Sequence, residues 1–116
     1  MDPAHLLGTG GAIGAILRYL VGLALSDDRF PFSTLSVNVL GSFVLGLVVF
    51  TSLSDEVVLF VGTGACGSFT TYSSFSVQTV QFWEGGDRFR AILYAGGTLV
   101  LCLLAAATGA GVATIL

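Results

Sequence analysis

Of the four arginines and seven carboxylates in this chain, only Arg18 lies well inside an apolar run. Asp2 apart, the rest gather in short interruptions, at Asp27, Asp28, Arg29, Asp55, Glu56, Glu84, Asp87, Arg88 and Arg90. The spacing leaves four segments, at about 5–25, 32–53, 57–83 and 90–115, each near the ~20 residues an α-helix needs to cross a lipid hydrocarbon core. Almost nothing remains for loops. With 54% hydrophobic and 9% charged residues over a length of 116, the chain reads as one all-α, multi-pass membrane domain covering residues 1–116.

The first run has no basic leader and ends in a charged loop without a small-residue cleavage site, so it is expected to remain as a helix. Cys66 and Cys102 both fall inside spans and His5 stands alone, so no side-chain metal site and no redox role is expected. Gly10, Gly14, Arg18 and Gly22 recur every fourth residue, a stripe expected to face protein, with Arg18 either snorkelling to the headgroups or serving packing or a pore mouth. Thr34, Asn38 and Ser42 repeat the spacing in the second segment, and Tyr94, Thr98 and Cys102 in the fourth. An amide at the depth of Asn38 costs free energy unless it finds partners, on another helix or along an aqueous path.

The third segment is the unusual one. An apolar half, 57-VVLFVGTGAC-66, is followed by 67-GSFTTYSSFS-76, which packs six aliphatic hydroxyls, two Phe and one Tyr where a span is ordinarily greasy. The glycines at 62, 64 and 67 and the weak helix formers after them predict a helix broken between Gly67 and Thr71. Backbone without helical hydrogen bonds survives at membrane depth only where protein or an ion pathway satisfies it. Four short helices enclose little on their own, so an oligomer is expected.

None of the four spans contains Asp or Glu, which disfavours a proton-coupled carrier of the small four-helix, dual-topology class. No nucleophile–base pair or acid–base constellation is present, so the chain is not expected to be an enzyme. What the spans offer is Asn, Ser and Thr donors and aromatic ring edges, and Tyr72 and Phe75 are spaced to present such edges along one path. These groups suit a small anion. A non-transporting assembly subunit is the remaining alternative.

Three blocks in this order, 10-GGAIGAILRY-19, 33-STLSVNVLGSFVLG-46 and 67-GSFTTYSSFS-76, resemble the CrcB/Fluc family of fluoride channels. The resemblance spans nearly the whole chain. It implies an antiparallel, dual-topology-type dimer of four-helix subunits in the cell membrane, formed with a second copy or an oppositely oriented paralogue. It further implies passive fluoride export through two pores, a structural Na+ at the centre and no nucleic-acid partner. Matched residue by residue, it implies a fluoride pore of Asn38, Thr71, Tyr72, Ser74, Phe75, Tyr94, Thr98 and Cys102. Arg18 matches the arginine of the first helix, and Gly67 and Thr70 match backbone carbonyl ligands of the sodium. The chain departs from the family pattern at Tyr72, Gln78 and Cys102.

Orientation can be read from the charges. The loops after the first and third segments share one side of the membrane and hold Arg29, Arg88 and Arg90, whereas both termini and the middle loop hold no Arg or Lys. The positive-inside rule then puts both termini outside the cell. An impermeant thiol reagent applied to cells carrying an engineered terminal cysteine should label it from outside only, which would make the antiparallel partner a paralogue. Labelling from both sides would make it a second copy.

Overall fold

Charged and turn-forming residues set the helix ends. The computed structural model describes residues 2–116. Helix α1 spans Pro3–Ala24, with the Asp2 carboxylate accepting from the Ala4 amide at 2.8 Å and Pro3 supplying the first turn's fixed φ. Helix α2, Phe32–Phe50, starts directly after Pro31 and ends where the Thr51 hydroxyl donates to the Leu47 carbonyl at 2.6 Å. Helix α3 covers residues 55–69 in three consecutive pieces, α-helical Asp55–Val57, π-helical Val58–Cys66 and α-helical Gly67–Phe69, with Ser54 as its cap. After an extended break come α4, Ser73–Glu84, a turn through Gly86 at φ 89°, and α5, Arg88–Ala113, capped by Asp87. Gly86 fits this turn because only glycine adopts that φ without steric cost.

Helices α1, α2 and α5 are each long and apolar enough to cross a membrane. The third segment is not one such helix: α3 runs over residues 55–69 and α4 over Ser73–Glu84, each shorter than the ~20 residues a single crossing needs. The described chain measures 49 × 29 × 20 Å, a thin slab. Its principal pairings are α1 with the π-helical part of α3, α2 with α5, and α4 with α5. The Arg90 guanidinium donates to the Arg29 carbonyl at 3.2 Å, so the two arginine-bearing loops lie at one end.

Between helices in lipid there is no hydrophobic gain from desolvation, so association relies on close van der Waals packing and interhelical hydrogen bonds. The sequence supplies the closeness with glycine. A Cβ at Gly14 would collide with the Ala65 carbonyl and the Ser68 hydroxyl, and one at Gly46 with the Ala106 backbone. Large apolar side chains such as Ile16, Leu23, Leu103 and Leu104 point away from the slab and are exposed, as lipid-facing residues should be. Within the single chain, half of the first-helix stripe is covered. Gly10 and Gly14 are buried, but Arg18 is exposed and Gly22 has open space where a Cβ would sit. Within the chain, α3 crosses α1 at close range around Leu7, Gly10, Gly11 and Gly14.

Gly14→Ala should therefore destabilise the chain by about 1–3 kcal/mol through overpacking. Gly8→Ala meets nothing within 4 Å and should be neutral or mildly stabilising. Thermal unfolding of both variants in detergent checks the contrast.

Candidate functional site

The break between α3 and α4 is held by one side chain. Thr70 turns extended, at φ −79° and ψ 161°, and the chain re-enters a helix at Ser73. Across the break the Thr71 amide donates to Asn38 Oδ1 at 2.7 Å, and Asn38 Nδ2 donates to the Thr71 carbonyl at 3.0 Å. The Asn38 amide thus pairs with one residue's backbone as a neighbouring strand would. It can do so because α2 carries Asn38 past the break on the stripe that also buries Thr34 and Gly41.

Most of the hydroxyls are used in making this break. Ser68, Thr70 and Ser76 donate to the carbonyls of Gly64, Cys66 and Tyr72, four residues back. Thr71 Oγ1 accepts from the Ser74 amide at 3.2 Å, starting α4, and lies 3.4 Å from the Ser73 hydroxyl. These bonds redirect donors that an unbroken helix would use internally. The Thr71 amide goes to Asn38 instead of the Gly67 carbonyl, and the Ser74 amide goes to the Thr71 hydroxyl instead of the Thr70 carbonyl. Among the described residues, neither the Gly67 nor the Thr70 carbonyl accepts a backbone hydrogen bond. The expected position of the break needs a small correction. Gly67 itself is helical, at φ −61° and ψ −33°, and the irregular backbone runs from Thr70 to Tyr72, where hydroxyl and Asn38 bonds replace the helical ladder.

A groove of about 390 Å³ opens beside the break. Asn38, Gly41 and Ser42 line it from α2, Gly67 from α3, Thr70, Thr71 and Tyr72 from the break, Phe75 from α4, and Thr98 and Cys102 from α5. No charged side chain lines it. The Tyr72 and Phe75 rings are 6.2 Å apart at 45°, with Tyr72 81% exposed. Opposite them the Thr98 hydroxyl is buried and has no hydrogen-bond partner among the described residues. A buried hydroxyl is ordinarily satisfied, so this one stands out beside the groove.

Eight of the expected site residues therefore meet at one groove: Asn38, Gly67, Thr70, Thr71, Tyr72, Phe75, Thr98 and Cys102. Tyr94 stands just behind, packed on Phe75 at 5.3 Å, with its hydroxyl donating to Gln78 Oε1 at 2.8 Å. Ser74 is exposed and joins the groove only through its amide on Thr71, and exposed Arg18 on α1 is not among the lining residues. Ser42 and Gly41 line the groove although neither was named as a site residue. The periodicity of Asn38 already pointed to Ser42, four residues on. Phe30 and Phe82, which enclose Tyr94, carry no signal in the sequence because each sits at a helix end among other aromatics.

The family model described as "CrcB-like protein, Camphor Resistance (CrcB)" matches residues 5–110. The chain is 49% identical to a protein of Haloarcula marismortui named fluoride-specific ion channel FluC 2, over 90% of this chain and 87% of that one. It is 44% identical to fluoride-specific ion channel FluC of Thermus thermophilus, over 94% and 93% of the two chains. The FluC of Agrobacterium fabrum is 42% identical over 90% of each.

If Asn38 holds the break, Asn38→Leu orphans two backbone groups of Thr71 at roughly 1–3 kcal/mol each. Amide exchange at Thr71 should then become fast and thermal unfolding in detergent should shift down. Ser42→Ala, on the same stripe, removes no hydrogen bond within the described chain and should change neither.

Proposed function

The chain belongs to the CrcB family, and from that premise we propose that it is a subunit of a fluoride-specific ion channel that lets cytoplasmic fluoride leave down its electrochemical gradient. The observation that carries the reading is the groove at the helix break, apolar and free of charge, but bordered by neutral donors and ring edges. Such a channel answers a physical trap. Neutral HF crosses membranes, dissociates at cytoplasmic pH and leaves its anion inside.

Fluoride gives up a tightly held hydration shell to enter a narrow pore, so its contacts there must be many and close. In this chain the Thr98 hydroxyl is without a protein partner. Asn38 has one N–H beyond the one given to Thr71, and the hydroxyl proton of Thr71 is free to turn from Ser73. Phe75 and Tyr72 offer the positive rim of their quadrupoles. Cys102 extends the line with a weaker donor, and the buried Tyr94 closes it behind Phe75. Ser74 acts through its amide, by fixing Thr71. No carboxylate lies in the spans, so no proton exchange is built in and transport is passive.

A slab 20 Å thick with its groove open on one side calls for a second subunit. The expected arrangement is an antiparallel dimer of four-helix subunits, each third segment crossing as a broken pair, with a second copy or a paralogue as the partner. The exposed ring of Tyr72 and the unpaired Arg18 are then available to the assembly. The freed carbonyls of Gly67 and Thr70 suit a hard cation, which takes oxygen ligands. Two such sets related by a two-fold axis would hold one Na+, whose charge stabilises the dimer centre and offsets nearby anion charge.

Purified chain in liposomes, with its paralogue if one is required, should release fluoride and retain chloride. Phe75→Ile keeps the bulk but lacks the polar ring edge, so fluoride efflux should be abolished or greatly reduced while assembly persists. Tyr72→Phe keeps the ring and should remain active.

A further inference from the structure

Two residues of α2, about one turn apart, reach two successive residues of the break. Asn38 takes the backbone of Thr71, whereas Gly41, buried on the same stripe, faces the side chain of Thr70. The Thr70 methyl, Cγ2, fills the place where a side chain at position 41 would begin, so a Cβ there would collide with it. Behind it the Phe69 ring closes the notch, its Cδ2 3.5 Å from the same point. The Thr70 hydroxyl, on the same β-carbon as the methyl, donates to the Cys66 carbonyl at 2.9 Å. Thr70 is thus held at both branches, by α2 through its methyl and by α3 through its hydroxyl.

A β-branched side chain has few χ1 positions, and any rotation that withdrew the Thr70 methyl from the notch would also take its hydroxyl off Cys66. The two contacts together hold the residue extended, at φ −79° and ψ 161°, with a carbonyl that accepts no backbone hydrogen bond among the described residues. We propose that Gly41 is a positioning residue for the cation site: its missing side chain seats the Thr70 methyl, and the seated threonine keeps its carbonyl fixed and unpaired. This assignment rests on the reading that the Gly67 and Thr70 carbonyls hold Na+. Gly41 itself supplies no ligand. The notch has room for one methyl, which can belong to residue 70 or to residue 41 but not to both, because packed interiors leave no space to share.

The test is the Na+ dependence of thermal unfolding of the assembled full-length protein in detergent, with N-methylglucamine replacing Na+ and no fluoride present. An ion that binds only the folded state raises the unfolding temperature by mass action. Gly41→Ala should raise the half-saturating Na+ concentration roughly tenfold or more, as losing the support behind a metal ligand does. Thr70→Ser keeps the hydroxyl, removes the methyl and so makes room for the alanine. Gly41→Ala/Thr70→Ser should therefore recover most of the lost Na+ affinity, a compensation expected only of residues in contact. An unchanged half-saturation in Gly41→Ala, with the unfolding temperature lowered equally at every Na+ concentration, would mean packing alone and overturns the assignment. So does a double variant that binds Na+ no better than Gly41→Ala. Where Gly41→Ala alone yields no folded protein, the double variant decides: a folded, Na+-responsive protein supports the assignment, and its absence overturns it. A wild-type protein whose unfolding ignores Na+ would instead refute the cation reading itself, and this assignment with it.

Discussion

A backbone group in hydrocarbon must find its hydrogen bond within the protein, and the structure turns on how one residue, Thr71, meets that demand. Its amide and carbonyl are both taken by Asn38, from a different helix. With that pair in place the third segment can stop being helical at Thr70 and resume at Ser73 with both backbone groups of Thr71 satisfied. Without it the segment would either close into a continuous helix or expose polar backbone to lipid. Asn38 is thus part of the scaffold first, and only its remaining N–H is available to a ligand.

The break changes the chemistry around it by redistributing donors. Each hydroxyl that bonds a carbonyl four residues back, and each amide drawn to a side chain, alters which carbonyls stay unpaired. Gly67 and Thr70 end without backbone donors because Thr71 and Ser74 point theirs elsewhere. A polar, oxygen-rich edge and a donor-lined groove therefore arise from the same few hydrogen bonds. The glycine contacts do a different task. By bringing α1 onto α3 and α2 onto α5 at backbone distance, they hold Asn38 and Thr98 on either side of the break, close enough to share one groove.

How far the site was legible depended on the kind of signal. Asn38, Phe75 and Thr98 stood out because their periodicity put polar or aromatic groups on a stripe of a helix that lipid would otherwise cover. Arg18 followed the same four-residue spacing as Gly10 and Gly14 yet is exposed, because a stripe marks an interface only as far as the neighbouring helix runs along it. Ser74 is exposed and meets the break through its amide on Thr71, a contact that composition does not display. Gln78 looked like a departure from pattern, and its bond to Tyr94 across sixteen residues of chain has no local signature.

The sequence by itself determined that the chain lives in a membrane, roughly where its helices begin and end, and that the third segment is interrupted. These follow from apolar length, from caps such as Asp2 and Asp87, and from helix propensity, all properties of neighbouring residues. Which residue closes the interruption, which carbonyls it frees, and which donors remain for a ligand were decided only in the tertiary structure. Asn38 and Thr71 are 33 positions apart, and a hydrogen bond at 2.7 Å exists only once two helices have been packed into register.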